Sequence, residues 1–212
     1  MRHSNRYLAG LLIFLCGLWF IGQGAYIHAK ALLAQVLLES AWAATLDGQK
    51  EVKPWPWADT WPVSRLSVPS LGVSRIVLAG VSGQSLAFGP GRLPDTDTGQ
   101  RPFNIVIAGH RDTHFRFLRK LKYGDHISLQ TDNRRNLDFI VSRISVVEAD
   151  NIALLQIGSA SMLTLITCYP FDAIRPGGPQ RYIVQAQLSG EKPAGLIQNL
   201  SQNRKFLFAR SL

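Results

Sequence analysis

Thr164, Leu165, Ile166, Thr167 and Cys168 form a run that reads as a buried strand ending on a thiol. The only other cysteine, Cys16, lies inside an apolar N-terminal stretch, so Cys168 has no disulfide partner in the rest of the chain. A lone thiol at the carboxyl end of a strand, before a Pro- and Gly-rich loop, sits where a nucleophile would be placed. The competing reading is a buried cysteine acting as a small hydrophobe. A thiol attacks as its thiolate, so a nearby imidazole or other positive group is needed. His110 directly follows Gly109 at the end of another apolar run, where strand-plus-loop sites present reactive groups. His114, four residues on in a basic turn, reads as solvated, and His126 opens a strand after a Gly-Asp turn. Beyond Cys168, Arg181 opens the last strand. A planar guanidinium there suits a developing oxyanion, the alternative being a strand-edge charge in solvent. Arg175 is nearer in sequence but sits in the Pro-Gly loop, where its geometry is less fixed.

The elements that must position these groups are mostly strands. Short runs rich in Val, Ile, Leu and Phe, bounded by Pro, Gly, Asn and Asp, predict strands at 65–68, 76–79, 104–108, 127–130, 137–147, 162–167 and 182–187. Short helical turns are expected at 85–88, 114–120 and 152–157. Seven or eight short strands with few helices imply a closed barrel or a sandwich. There is no internal repeat and no low-complexity tract.

The N-terminal part is of a different kind. Residues 7–27 carry no acidic or basic side chain, and as a helix they span about 31 Å, close to the hydrocarbon thickness of a bilayer. Arg2, His3 and Arg6 precede the run, and Trp19 and Tyr26 lie toward its far end. The positive-inside rule puts residues 1–6 in the cytoplasm and everything after Ile27 on the far side of the membrane. A cleaved signal peptide fits less well, because its apolar region should be shorter and the favoured small-x-small site, Ala41-Trp42-Ala43, lies far beyond the apolar run. Phe14 and Leu15 also leave Cys16 without the small residues that a lipoprotein acceptor needs. Residues 28–46 repeat apolar side chains near helical spacing, as an amphipathic helix or as an extension of the anchor. In residues 53–62, three prolines forbid a regular helix and three tryptophans need cover, against the domain or at the membrane interface. The expected layout is residues 28–62 as amphipathic helix and Pro/Trp linker, 63–190 as the β-domain and 191–212 as a tail.

At 212 residues and a net charge of +9, the chain has room for one span and one ordinary domain, with a preference for acidic partners. The basic stretch 111–122 reads first as a solvated face and second as a surface for anionic headgroups; export argues against nucleic acid. No zinc-ligand spacing is present, and Asp95, Asp97 and Asp112 are separated by basic residues, so no metal and no cofactor are expected.

Ile107-Ala108-Gly109-His110, Thr164-Leu165-Ile166-Thr167-Cys168 and Arg181-Tyr182-Ile183-Val184, in that order, resemble the sortases, membrane-anchored cysteine transpeptidases of bacterial surfaces. The resemblance covers roughly residues 63–188. The Pro-Trp-Pro-Trp and Trp-Pro pairs look like the branch found in Gram-negative proteobacteria. It implies a closed, mostly β barrel of about eight strands with short helices, preceded by a transmembrane helix. It further implies Cys168 as nucleophile, His110 as acid/base, Arg181 as oxyanion stabiliser and Thr167 as a pocket-lining residue. The substrate implied is an exported protein with a C-terminal sorting signal like Leu-Pro-x-Thr-Gly, cut between Thr and Gly and passed to an amine acceptor. A cell-wall L,D-transpeptidase normally sets its cysteine in Ser-x-Gly-Cys with the histidine close upstream, unlike Leu-Ile-Thr before Cys168. A hydrolytic cysteine peptidase and a non-catalytic anchored binding domain are the remaining rivals.

Overall fold

The computed structural model describes residues 2–94, 102–150, 160–175 and 177–190. The helical turn expected at 152–157, Asp95, Asp97 and the tail 191–212 lie outside the described residues. Eight strands close into a barrel: β1 (Pro62–Val68), β2 (Val73–Ala79), β3 (Gly91–Arg92), β4 (Asn104–Ala108), β5 (His126–Thr131), β6 (Asn136–Glu148), β7 (Met162–Tyr169) and β8 (Gln180–Leu188). Their order around the barrel is β1-β2-β3-β4-β7-β8-β6-β5. Of the two alternatives left by strand count, the barrel is the one formed.

Alternation explains the wall. β1 switches strictly between buried and half-buried positions, and β7 turns Leu163 and Leu165 into the barrel while Thr164 and Ile166 face outward. Leu66, Val77, Ile105, Ile107, Leu129, Phe139 and Val184 join them inside, each less than 2% exposed. Each such side chain contributes about 1.5–3 kcal/mol relative to leaving it in water. Phe115, Phe117, Leu118 and Leu121 plug one end; Phe117 and Leu118 belong to the 3-10 turn Arg116–Lys120. The two-residue strand β3 carries too little pattern to be read from sequence. Yet it bridges β2 and β4 and so closes the wall.

The helix α1 (Arg2–Leu46) is continuous. Residues 28–46 thus extend the anchor helix and form no separate element, because no proline or glycine interrupts the chain from Ala25 to Leu46. Its segment Gly10–Leu46 is long and apolar enough to cross a membrane. Its last turns dock on the barrel. Leu38 and Trp42, each 1% exposed, pack on Ile76 and Leu78, with Leu46 and Phe88 beside them. Along the helix, Gln35 donates to the carbonyl of Phe88 at the end of α2 (Gly83–Phe88), Glu39 pairs with Arg65, and Asp47 pairs with Arg134 at 2.7 Å.

The Pro/Trp segment is clipped to the barrel. Trp55 meets the ring of Phe88 edge-on at 4.7 Å, and Thr60 Oγ1 donates to the carbonyl of Ala79 at 2.7 Å. Trp57, by contrast, is 82% exposed.

Candidate active site

Two rows of side chains converge at the plugged end. β7 and β8 are antiparallel, and their register makes Cys168 and Arg181 direct partners, one step beyond Thr167↔Tyr182 and two beyond Ile166↔Ile183. Cross-strand partners share a face, with Cβ atoms about 4.5–5.5 Å apart. The thiol and the guanidinium therefore stand together on the outer face. Their floor is the cluster of Val106, Ile166 and Ile183, flanked by Leu93 and Val147. Cys168 is a free thiol and half-buried, so the bland reading of a sealed hydrophobe does not describe it.

β4 runs parallel to β7, with Ala108 opposite Ile166. The pairing persists past the strand, since Gly109 N–H donates to the carbonyl of Ile166 at 3.1 Å and Thr167 Oγ1 donates to the carbonyl of Gly109 at 2.7 Å. His110 follows directly, at the same end of the barrel as Cys168. His110 is exposed. Glycine is required before it: a Cβ on Gly109 would stand 2.8 Å from Cγ of Phe115.

The Arg181 guanidinium is held by its own loop. Nη1 donates to the carbonyls of Gly178 at 2.6 Å and Gln180 at 2.9 Å. Gly178 adopts a φ of +152°, and a Cβ there would lie 2.9 Å from the carbonyl of Tyr169, so this approach too demands glycine. Beneath the loop, Tyr169 stacks on Tyr182 at 6.0 Å and Phe171 meets Tyr182 edge-on at 5.0 Å. Burial pushes the Tyr182 hydroxyl above its usual pKa.

All four expected residues thus lie at one end of the barrel. Thr167 differs from expectation: it is 2% exposed and its hydroxyl is spent on Gly109, so its side chain braces the frame and faces no pocket. An inward-facing β7 position next to a parallel strand end leaves it no other direction. His114 is half-buried instead of solvated, with Nε2 3.5 Å from the carbonyl of Ala87. That burial holds its pKa below the usual 6.5. Arg175 is exposed in the β7–β8 loop.

The residue that sequence reasoning missed is Arg111. Counted among a run of surface cations, it is in fact 3% exposed. Nε and Nη2 grip both carboxylate oxygens of Asp112 at 2.9 Å. Nη1 donates to the carbonyl of Pro170 at 2.7 Å, and Nη2 reaches those of Ala173 at 2.8 Å and Arg175 at 3.5 Å. One side chain next to His110 therefore fastens the loop that follows Cys168. The Asp112 hydrogen bond raises the Arg111 pKa against the opposing effect of burial, and a thiolate at Cys168 adds to the rise. The same bond holds the Asp112 carboxyl below its usual 3.8. The available signal was position, since Arg111 directly follows the candidate histidine. Among the described residues no group of three or more His, Cys, Asp or Glu side chains is placed to hold a metal.

Comparison with known proteins bears on the barrel domain as a whole. A sortase domain model matches residues 66–189. Sortase D of Bacillus subtilis (strain 168) is 28% identical over 120 residues, which is 56% of this chain and 60% of that protein; the chain thus spans three fifths of that curated relative. The crystal structure of sortase C-1 from Actinomyces oris superposes with a TM-score of 0.54 at 27% identity, over 61% of this chain and 74% of that one. Sortase C from Clostridium perfringens, solved with the C-terminal cell wall sorting motif, gives 0.56 at 21% identity, over 76% of this chain and 90% of that one, a likeness of fold. With the domain match covering more than half of its length, the chain belongs to the sortase family.

Proposed function

We propose that this sortase cleaves the C-terminal sorting signal of an exported protein and transfers the new carboxyl end to an amine acceptor. The observation that carries this reading is the juxtaposition of Cys168 and Arg181 as cross-strand partners with His110 at the adjoining end of β4. In this reading the Cys168 Sγ attacks the carbonyl carbon of the scissile bond, and the Arg181 fork donates to the oxygen as it gains charge. The C–N bond then breaks, and His110 gives its proton to the leaving amine. A thioester remains. An incoming amine attacks it, His110 takes one proton from that amine, and Cys168 leaves as the thiolate, which restores the starting thiolate and protonated imidazole, so bonds and protons balance. The thioester keeps the energy of the broken amide available to the amine, whereas water would dissipate it.

An LPxTG-like signal is supported by membership of the sortase family. The apolar stretch of α1 supports a single-pass anchor in the inner membrane, N-terminus inside and barrel in the periplasm. The Pro-Trp-Pro-Trp strap supports the Gram-negative proteobacterial branch. The exposure of His110 also admits water, which favours hydrolysis of the same signal as the second reading.

The deciding experiment incubates the full chain with sorting-signal peptides, with and without an amine, and follows intact mass. Wild-type protein should gain a thioacyl adduct that amine discharges as a transfer product, and Cys168→Ala should gain none. Absence of any adduct with every signal tested would defeat the proposal. Hydrolysis unaffected by amine would leave a peptidase.

A further inference from the structure

The function above leaves a cluster of cations unused. Arg75, Arg116, Arg119 and Lys120 are exposed and, with Thr113 and the buried Phe117, line a cleft of about 430 Å³. Lys122 is exposed just beyond it. Two carboxylates lie near. Asp112 is taken up by Arg111, although its charge also reaches Arg116, and Asp125 accepts the N–H of Lys122 at 2.8 Å. Among the described residues, no ion pair joins Arg75, Arg116, Arg119 or Lys120 to an acid. Guanidinium groups beside a hydroxyl in a small cleft are suited to a phosphate ester, which they grip with parallel hydrogen bonds.

The helix α1 supplies an independent observation, the place of this cleft relative to the membrane. Contacts run along α1 in sequence, from Gln35 with Phe88, through Glu39 with Arg65, to Asp47 with Arg134. Arg134 stands on the β5–β6 turn, next to Thr131, which pairs with Ser64 at the start of β1. β1 therefore runs against α1, and β2, antiparallel to β1, runs with it. Arg75 precedes Ile76 on β2 and so lies on the membrane side of the docked turns. The 3-10 turn reaches the same level through a second route: Gln35 touches Phe88, and the neighbouring carbonyl of Ala87 touches His114, just before Arg116. Gln35 lies eight residues past Ile27, a rise of only about 12 Å. That is about one and a half Debye lengths at physiological salt, so a charged bilayer surface is screened there but still felt by the cations.

We propose that this cleft binds the phosphate of an anionic lipid headgroup and so holds the barrel against the outer leaflet of the membrane that α1 spans. The inference rests on the anchor reading of α1. His110 and the Arg111-bound loop belong to the same end of the barrel, so headgroup binding also sets the height at which the thiol meets a membrane-tethered substrate.

Hydrogen exchange of the full chain in lipid nanodiscs tests this. The peptide 113–122 should exchange about tenfold more slowly in discs containing phosphatidylglycerol than in pure phosphatidylcholine. The β5–β6 turn at 131–136, at the other end of the docked helix, should not change. The triple variant R116Q/R119Q/K120Q should keep its melting temperature and lose the protection, as should high salt. Equal exchange in both lipids, or protection that survives the triple variant, would overturn the proposal. Equal protection by inorganic phosphate in phosphatidylcholine discs would assign the cleft to a soluble anion and overturn the lipid assignment. A chain that fails to copurify with discs would refute the anchor and this inference with it, while leaving the peptide chemistry of Cys168 intact. Incorporation without lipid dependence would refute this inference alone.

Discussion

Arg111→Ala removes a side chain that ties the His110 segment to the loop after Cys168. The bonds to Pro170 and Ala173, at 2.7 and 2.8 Å, are charge-assisted and well made, and each contributes about 1.5–3 kcal/mol. The Arg175 contact at 3.5 Å adds little. The Asp112 partner is 62% exposed and rehydrates readily, so its share is at most about 1 kcal/mol. Water entering the vacated space recovers part of the loss at the carbonyls, leaving a net destabilisation of about 3 kcal/mol. For a barrel of this size that lowers the melting temperature by about 10 °C. The loop also carries the Gly178 and Gln180 carbonyls that hold Arg181, so the site loosens as well as the fold. Thioacyl formation should fall on the order of 10- to 100-fold, the scale of an ångström of misplacement. Arg111→Lys keeps a point charge without the fork and should recover only part of both effects. Thermal unfolding and intact-mass kinetics on the same samples are the assay. A melting temperature within about 2 °C of wild type, with adduct formation within about twofold, would refute the reasoning.

Gly109→Ala drives a methyl to 2.8 Å from the buried Phe115 ring, and should cost about 1–3 kcal/mol in urea unfolding while slowing adduct formation by more than that loss explains. Because Arg111 holds the Asp112 carboxyl below 3.8, the stability it contributes is complete above that pH and is lost as pH falls through the folded value. Urea midpoints of Asp112→Asn should therefore lack this part of the acid decline. Burial holds His114 below 6.5, so the unfolded chain takes up that proton first and stability falls as pH drops below 6.5; His114→Gln should flatten this slope in the same titration. Trp42→Ala empties a site of 1% exposure between α1 and β2, a change of about 3–5 kcal/mol, and limited proteolysis should then cut within residues 47–62 while the barrel persists.

How far the sequence disclosed this molecule depends on which interactions have a period. The long strands were legible because apolar side chains alternate or run continuously over several residues, and His110, Cys168 and Arg181 each stand at the end of such a run. β3 was not legible, since Gly91 and Arg92 are too few to show a period and owe their pairing to their neighbours. The join between the anchor and the docked turns was left open because apolar and amphipathic stretches share one helical period. The burial of Thr167 and of Arg111 was not legible, for a common reason. A hydroxyl or a guanidinium is polar by type, and only the carbonyls brought to it by distant segments, Gly109 in one case and Pro170 and Ala173 in the other, make burial acceptable.

These two buried residues explain how the candidate site divides its rigidity. Cys168 and Arg181 lie within a hydrogen-bonded ladder, over a floor of Val106, Ile166 and Ile183; the register fixes their backbone spacing, and the Gly178 and Gln180 carbonyls hold the guanidinium. His110 has no such ladder, because β4 ends at Ala108. Its position is instead fixed by separate clamps: the Gly109 N–H on Ile166, Thr167 on Gly109, Phe115 against Gly109, and Arg111 beside it reaching across to the next loop. In the proposed reaction the thiol and guanidinium meet one atom pair, the scissile carbonyl. The imidazole must serve two amines, first protonating one and then deprotonating another. A group with two partners needs more freedom than a group with one, and clamps on a loop allow small adjustments that a ladder does not. The exposed His110 next to a fixed cross-strand pair is what such a division of labour requires.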